Sequence, residues 1–156
     1  MTGFEIRPAA AGDLPRIRAL AREYVEWIGL DLAFQEIDAE LDGLPGDYAP
    51  PRGALLMACR KGDGPVAMIG LRALSDTIGE MKRLYVQPSA RGHGLARALI
   101  VRLLDEARTL GYREIRLDTL PMMDDAQALY AALGFTDIAA SYDTPIAGTR
   151  FMAKRL

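Results

Sequence analysis

The sequence predicts an α+β fold in which helices pack on one mixed, mostly antiparallel central sheet. Short apolar runs typical of strands alternate with longer segments whose apolar residues repeat at the 3.6-residue period of a helix. Glycine and proline mark the joints between these segments. The order along the chain is βααβββαβαββ, which groups several strands together and therefore favours an α+β arrangement over a regular alternation of strands and helices.

Composition and charge indicate a single globular domain and argue against several classes of protein. The chain has 156 residues, of which 50% are apolar and 26% charged, so we expect one globular domain over residues 1–156. Its net charge of −2 argues against a nucleic-acid partner. One cysteine and one histidine, Cys59 and His93, argue against an internal disulfide and against an ordinary zinc site. We therefore expect no metal.

No apolar segment of the sequence reaches the length of a membrane span. The N-terminal residues "MTGFEIRPAAAGD" lack the charged start and the apolar stretch of a signal peptide. We therefore expect a cytoplasmic protein with no membrane partner.

The first third of the chain predicts one strand and two helices. "FEIR", residues 4–7, alternates apolar and polar side chains and indicates a strand. A helix is predicted to start at Asp13, with Pro15 in its first turn, and to stop at Gly29. A second, more acidic helix is predicted over residues 32–42, followed by the loop "DGLPGDYAPP".

Three strands are predicted in the middle of the chain, over residues 53–60, 65–74 and 78–86. The first two are joined by "KGDG", which is typical of a hairpin turn. After a glycine-rich turn, a strong apolar stripe from Leu95 to Leu110 indicates a long helix, which Gly111 ends.

The last third predicts a strand, a helix and two more strands. "EIRLDT", residues 114–119, indicates a strand. The next helix is predicted to be capped by Asp124 or Asp125, with Gly134 just after its end. "FTDIAAS" and "TRFMAKRL" are the final predicted strands.

The glycine turn in "YVQPSARGHGLARALI", residues 85–100, is the chemically most informative segment. A helix N-terminus leaves N–H groups without partners, and glycines let an anion approach the backbone closely. A strand, a glycine turn and a helix therefore form a candidate anion site, to which Arg91 adds a cation. The spacing fits neither a P-loop nor a dinucleotide fingerprint. A plain structural corner is the alternative reading of the glycines alone.

The residues flanking the turn add a family resemblance. "EMKRLYVQPSARGHGLARALI" resembles the acetyl-CoA-binding motif of the GNAT superfamily of N-acetyltransferases, with matches at Arg91, Gly92, Gly94 and Ala96. "LDTLPMMDDAQALYAALGF" resembles the second motif of that family, with matches at Leu129, Tyr130, Gly134 and Phe135. The resemblance covers nearly the whole chain and implies a GNAT-like α/β/α fold.

The resemblance implies acetyl-CoA as cosubstrate, lying between strand 78–86 and the strand near 114–119. The backbone around Leu84, Tyr85 and Val86 is expected to pair with the pantetheine arm as an added strand would. The turn is expected to hold the pyrophosphate, and the strand over residues 114–119 is expected to contribute one side chain. The cofactor-binding residues outside strand 78–86 are then Arg91, Gly92, His93, Gly94, Leu95, Ala96 and Thr119.

Acetyl transfer to an amine needs a group that accepts the amine proton and a group that protonates the departing thiolate. The resemblance implies Glu80 as the candidate base, since related acetyltransferases often carry a catalytic glutamate at this position on the strand before the turn. The alternatives are a glutamate paired with Lys82 or Arg83 and a solvated strand residue. Tyr130 is the candidate acid, and the alternative is a tyrosine of the core. His93 is expected beside the phosphates or in solvent, and Cys59 in the core.

The acceptor is expected to be a primary amine of a small molecule or peptide, acetylated directly. Acidic side chains of the first two helices either attract that amine or form a solvated face. The rival hypotheses are a non-catalytic acyl-CoA-binding sensor on the same fold and a general nucleotide-phosphate binder. A homodimer is a candidate oligomeric state. The acidic residues concerned are Glu23, Glu26, Asp31, Glu36, Asp38, Glu40 and Asp42.

Overall fold

One sheet organises the computed structural model, which describes residues 3–32 and 36–156. The order of elements within these residues confirms the predicted βααβββαβαββ succession. The helices are α1 (Leu14–Ile28), α2 (Ile37–Asp42), α3 (Leu95–Thr109) and α4 (Asp124–Ala132). The strands are β1 (Phe4–Pro8), β2 (Ala54–Arg60), β3 (Pro65–Ala73), β4 (Ile78–Val86), β5 (Glu114–Thr119), β6 (Thr136–Asp137) and β7 (Arg150–Arg155).

The strands lie in the order β1-β2-β3-β4-β5-β7-β6. Every neighbouring pair is antiparallel except β4 and β5, which are parallel. The predicted mixed, mostly antiparallel sheet is therefore confirmed. A parallel pair needs a crossover connection, and α3 supplies it between β4 and β5.

The β4–β5 ladder is short. It consists of the pairs Ile78–Glu114, Gly79–Ile115 and Glu80–Arg116, although both strands continue beyond it. The later residues of β4 therefore have no β5 partner along one edge, and a V-shaped opening forms in the middle of the sheet.

A β-bulge in β4 lies at the start of this opening. The pairing of β4 with β3 shifts between Met68 and Gly70, so that Arg83 and Leu84 together oppose Ile69. Arg83 has a positive φ of 63°, a conformation that non-glycine residues adopt only under tertiary constraint. A bulge bends its strand and re-aims the following side chains, which accounts for the departure of β4 from β5.

Each face of the sheet carries its own apolar core. The face covered by α3 and α4 buries residues from both helices, including Leu99, Leu103 and Tyr130. The opposite face, covered by α1 and α2, buries residues such as Ile17 and Met68. Burial of these apolar stripes stabilises the helices against the sheet far more than their intrinsic propensities do.

The predicted start of α1 is confirmed, whereas that of α4 is wrong in its detail. Asp13 is the N-cap residue of α1, and its carboxylate accepts from Ala10 N at 2.8 Å and from Arg7. Neither Asp124 nor Asp125 caps α4, because the cap position falls on Met123 and both acids lie within the first turn. There they still face the positive end of the helix dipole.

Two predicted elements are longer than the observed ones. The strand over residues 135–141 is only Thr136–Asp137, because the chain turns away after Ile138 N donates to Phe151 O. The acidic helix predicted over residues 32–42 is observed as Ile37–Asp42, and its residues 33–35 lie outside the described part of the chain. Within the described ranges, no helix combines the length and apolarity needed to cross a membrane.

Candidate functional site

A groove of about 450 Å³ opens where β4 leaves β5. The end of β4 and the glycine turn form one wall, and the start of α4 forms the other. The expected cofactor-binding residues Leu84, Tyr85, Val86, Arg91, Gly92, Gly94, Leu95 and Ala96 all line it. The groove is also lined by Trp27, Ala90, Arg97, Met122, Met123, Asp124, Asp125, Ala126, Leu129 and Tyr130.

The glycine turn presents backbone donors to this groove. Gly92 and Gly94 have φ values of 83° and 74°, in the left-handed region that glycine adopts without a steric penalty. The N-cap of α3 makes no side-chain hydrogen bond. The N–H groups of residues 92–97 donate to no other residue that the structure describes. Free N–H groups at the positive end of a 15-residue helix form an anion site.

Arg91 is held at the rim of the groove by two kinds of contact. Its Nε donates to Val86 O at 3.0 Å. Its guanidinium carbon lies 4.9 Å from the ring centroid of Trp27, within the range of a cation–π contact. The charge therefore lies between α1 and the glycine turn, beside the free N–H groups.

A smaller cavity of about 40 Å³ continues from the inner end of the groove. The two spaces share Leu84, Met123 and Tyr130 as lining residues. Thr119, the expected contact from β5, lines the inner cavity and not the groove. It is 2% exposed, and its hydroxyl lacks a hydrogen-bond partner among the described residues. An orphaned buried hydroxyl indicates a place where a ligand atom is expected.

Tyr130 lines both spaces. Among the residues that the structure describes, none is a hydrogen-bond partner of its hydroxyl, while its ring packs on Phe135 at 5.8 Å. Burial raises the pKa of Tyr130 above its usual value, since the phenolate is the form that desolvation penalises. The residue is thus both a core side chain and a free proton donor at the junction of the two spaces.

Glu80 lies on the α1/α2 face of the sheet and is 8% exposed. Its Oε1 accepts from Arg72 Nε at 2.7 Å, across the β3–β4 pair. The alternative prediction, that Glu80 pairs with Lys82 or Arg83, is wrong. Its partner is Arg72, which lies opposite Glu80 in the pairing of β3 with β4. Glu80 lines neither the groove nor the inner cavity. The structure therefore does not place Glu80 in direct contact with either space.

Further along β4, two cations line the inner cavity: Lys82 and Arg83. Arg83 holds Glu40 with two hydrogen bonds, at 2.7 and 3.0 Å. Lys82 Nζ lies 3.8 Å from Asp118 Oδ1. Burial lowers the pKa of Lys82, and the neighbouring Asp118 carboxylate opposes that shift.

Three other residues singled out in the sequence lie at the edge of the site or away from it. The His93 ring is exposed and packs on Phe4 with ring centroids 5.2 Å apart, and it is absent from the groove lining. The Tyr85 hydroxyl donates to Glu23 at 2.9 Å, on the α1 side of the sheet. Cys59 is buried in the α1/α2 core, as predicted.

Many of the acidic side chains of α1 and α2 form hydrogen bonds or ion pairs with other residues of the chain. Glu23 accepts from both Tyr85 and Gln87, and Glu40 accepts from Arg83. On the surface, Asp38 and Asp42 share Arg22. These contacts favour a structural role for much of this acidic surface over the attraction of a cationic acceptor.

The sequence interpretation missed Trp27 and Lys82. Trp27 lies off the buried stripe of α1 and is 48% exposed, so apolar periodicity does not mark it. Lys82 is a charged residue inside a strand that is otherwise buried. A charge in such a run was the available signal, because buried lysines are rare without a ligand or partner.

Three comparisons with known proteins agree with this architecture. The profile of the acetyltransferase (GNAT) family matches residues 14–135. An uncharacterized N-acetyltransferase of Schizosaccharomyces pombe is 33% identical over 141 residues, which cover 90% of this chain and 86% of that protein.

Two solved structures share the fold at low identity. An acetyltransferase of the GNAT family from Staphylococcus aureus Mu50 superposes with a TM-score of 0.82 at 18% identity, covering 97% of this chain and 98% of that one. YncA of Salmonella typhimurium, solved with its cofactor acetyl-CoA, has a TM-score of 0.77 at 20% identity, covering 99% and 94%.

The family profile and the relative from S. pombe thus show the class of this protein, which is an acetyltransferase. The chain belongs to the GNAT family, and its class of activity is N-acetyl transfer.

Proposed function

We propose that residues 1–156 form one catalytic domain that transfers the acetyl group of acetyl-CoA directly to an amine of a small molecule or peptide. One observation carries this proposal: β4 and β5 separate at the point where the free N–H groups of α3 face the resulting groove. A long ligand with an anionic centre fits that geometry, because its charge meets the helix N-terminus while its arm enters the sheet.

The residues present fit acetyl-CoA as this ligand, which would supply an activated acetyl thioester. The N–H groups of residues 92–97, with Arg91 beside them, would hold the pyrophosphate. The unpaired edge of β4 from Leu84 to Val86 would hydrogen-bond the pantetheine amides. Thr119, whose hydroxyl is otherwise unpartnered, would donate to an oxygen at the inner end.

Glu80 would take the proton of the acceptor amine. An alkyl amine has a pKa of about 10 and is mostly protonated at neutral pH, so the site must remove that proton. Arg72 fixes the Glu80 carboxylate. Because Glu80 is not among the lining residues of either cavity, a water would relay the proton.

Tyr130 would protonate the departing sulfur. Its hydroxyl has no competing partner among the described residues, and it lies where the groove meets the inner cavity. The phenol would regain its proton from the nitrogen that has formed the new amide bond. Cys59, the one cysteine of the chain, lies in the core away from both spaces, which supports direct transfer without an acyl-cysteine.

A thermal-shift screen followed by an assay for free thiol tests this proposal. Acetyl-CoA is expected to raise the melting temperature, ATP is not, and amines are expected to release thiol from acetyl-CoA. Stabilisation by ATP alone would contradict the cofactor assignment. Stabilisation by acyl-CoA without turnover of any amine or peptide would indicate a sensor instead of an enzyme.

A further inference from the structure

Lys82 is a buried cation whose ammonium donates no hydrogen bond to any residue that the structure describes. Its side chain is 7% exposed, and its nearest acidic contact is Asp118 Oδ1 at 3.8 Å. Within the described parts of the chain, no atom accepts a hydrogen bond from Nζ. A charged group that has lost water without gaining acceptors costs free energy, so the position is unfavourable unless an acceptor arrives.

The acidic groups around Lys82 are engaged elsewhere. Asp118 Oδ2 accepts from the Tyr142 hydroxyl at 2.9 Å. Glu80, two residues earlier on the same face of β4, is fixed by Arg72. Glu40 is held by Arg83 at 2.7 Å. These carboxylates therefore leave the three N–H donors of the Lys82 ammonium without a hydrogen-bond acceptor among the described residues.

The inner cavity beside Lys82 suits a small anionic group by its size and by the unused donors of Lys82. Its charged lining residues are Lys82, Arg83 and Asp118, and the charge of Arg83 is already balanced by Glu40. A volume of about 40 Å³ holds a carboxylate or a few waters, since one water needs about 10–15 Å³ of such space. A bulky phosphate ester is a poor fit.

The cavity also lies on the acceptor side of the reaction. It adjoins Tyr130 at the inner end of the groove. Lys82 shares the α1/α2 face of the sheet with Glu80, the proposed proton acceptor. A molecule whose carboxylate reaches Lys82 therefore places its other atoms, including its amine, near the acetyl group that is to be transferred.

We infer that Lys82 binds a carboxylate of the acceptor, and that the acceptor is an amine of the amino-acid class. This inference rests on the proposed acetyl transfer. It assigns Lys82 a role in substrate specificity, distinct from the proton transfers of Glu80 and Tyr130. Loss of its charge should remove the preference for carboxylated amines and leave turnover of uncharged amines in place.

The test is thiol release from acetyl-CoA with a panel of free α- and ω-amino acids, each beside its own amide. In the wild-type protein, the preferred acid is expected to exceed its amide in kcat/KM by about tenfold or more. Lys82→Met is expected to lower kcat/KM for the acid by at least that factor and to leave the amide within about twofold. Lys82→Arg is expected to keep part of the preference.

Lys61→Met is the matched control, because Lys61 lies exposed in the β2–β3 turn and its loss should change neither substrate. If Lys82→Met does not fold, the wild-type comparison of each acid with its amide still tests the expected preference for carboxylated amines. A wild-type enzyme that shows no preference for any acid over its amide contradicts the inference, as does an equal loss for both substrates in Lys82→Met. If acetyl-CoA neither binds nor loses thiol with any amine, the proposed acetyl transfer itself fails.

Discussion

Arg72 and Glu80 form a close ion pair across β3 and β4, with Arg72 Nε 2.7 Å from Glu80 Oε1. The two side chains are 28% and 10% exposed. The pair holds a carboxylate on the α1/α2 face of the sheet, outside the lining of the inner cavity. In the proposed reaction, this position makes Glu80 a proton acceptor that would act through a water.

Replacing Glu80 with Gln should lower kcat by about a hundredfold, because the amide cannot accept the amine proton. The amide still accepts a hydrogen bond from Arg72, but the charge of the pair is lost, so the melting temperature should fall and kcat is compared well below it. Steady-state kinetics with a fixed amine at saturating acetyl-CoA measures the effect. A variant with wild-type kcat would show that water or the acceptor itself disposes of the proton.

Tyr130→Phe should lower kcat with little loss of stability, since its hydroxyl has no described partner to lose. Tyr112→Phe is the matched control: the Tyr112 hydroxyl donates to Arg52 O on another part of the sheet. That variant should lose about 1 kcal/mol of folding free energy and keep its kcat. Comparable kcat values for wild type and Tyr130→Phe would remove Tyr130 from the mechanism.

The raised pKa of Tyr130 has a consequence for the pH profile. Burial shifts this pKa upward, so the phenol stays protonated and able to donate up to at least its usual value of about 10. We therefore expect no decline of kcat between pH 7 and about pH 9.5 from this residue. A basic limb in that interval that disappears in Tyr130→Phe would contradict the assignment.

Gly94→Ala should raise the KM for acetyl-CoA. Its φ of 74° strains any residue with a Cβ, and the added methyl enters the groove that Gly94 lines. Gly62→Ala is the control, because Gly62 has a φ of 78° and equally open surroundings in the β2–β3 turn. Both variants should lose about 1 kcal/mol of stability, but only Gly94→Ala should alter KM. Equal KM values would place the pyrophosphate elsewhere.

Glu40→Gln should destabilise the fold by about 3 kcal/mol, because it removes the carboxylate that holds Arg83 at the bulge. Burial opposes ionisation of Glu40, but Arg83 outweighs it and keeps the pKa of Glu40 below its usual range. A lowered folded-state pKa means that this stability is present above about pH 4.3 and is lost as the pH falls further.

Urea unfolding of wild type and Glu40→Gln at pH 7 and pH 3 measures that contribution. Asp38→Asn on the same helix is the control, because its pair with Arg22 is exposed and should contribute less than about 1 kcal/mol. The gap between wild type and Glu40→Gln should narrow at pH 3. A gap that persists unchanged would point to packing and not to charge.

The strands and the glycine turn were predictable because their signals are local. Nearly continuous apolar runs mark β2 and β3, and the glycines at 92 and 94 mark a left-handed turn before α3. The partner of Glu80 was not predictable, because it depends on the register between β3 and β4. The bulge at Arg83 and Leu84 likewise arises from pairing with β3 and leaves no local pattern in the sequence.

The sequence predicted the residues of one wall of the groove but not all of those that complete it. The family motifs identify the residues of β4 and the turn, whereas Trp27 and Met122 reach the groove from α1 and from the segment before α4. Their placement depends on how distant elements pack together. The predicted cap at Asp124 or Asp125 failed because the N-cap of α4 falls on Met123.

The measurement that tests the central claim most directly compares the amount of thiol released from acetyl-CoA with the amount of N-acetylated product. Mass spectrometry identifies that product for each amine of an amino-acid panel. The account predicts one N-acetylated amine for each thiol released, with both rates reduced together in Tyr130→Phe. Thiol release without an acetylated amine, or no release with any acceptor despite tight acetyl-CoA binding, would contradict it.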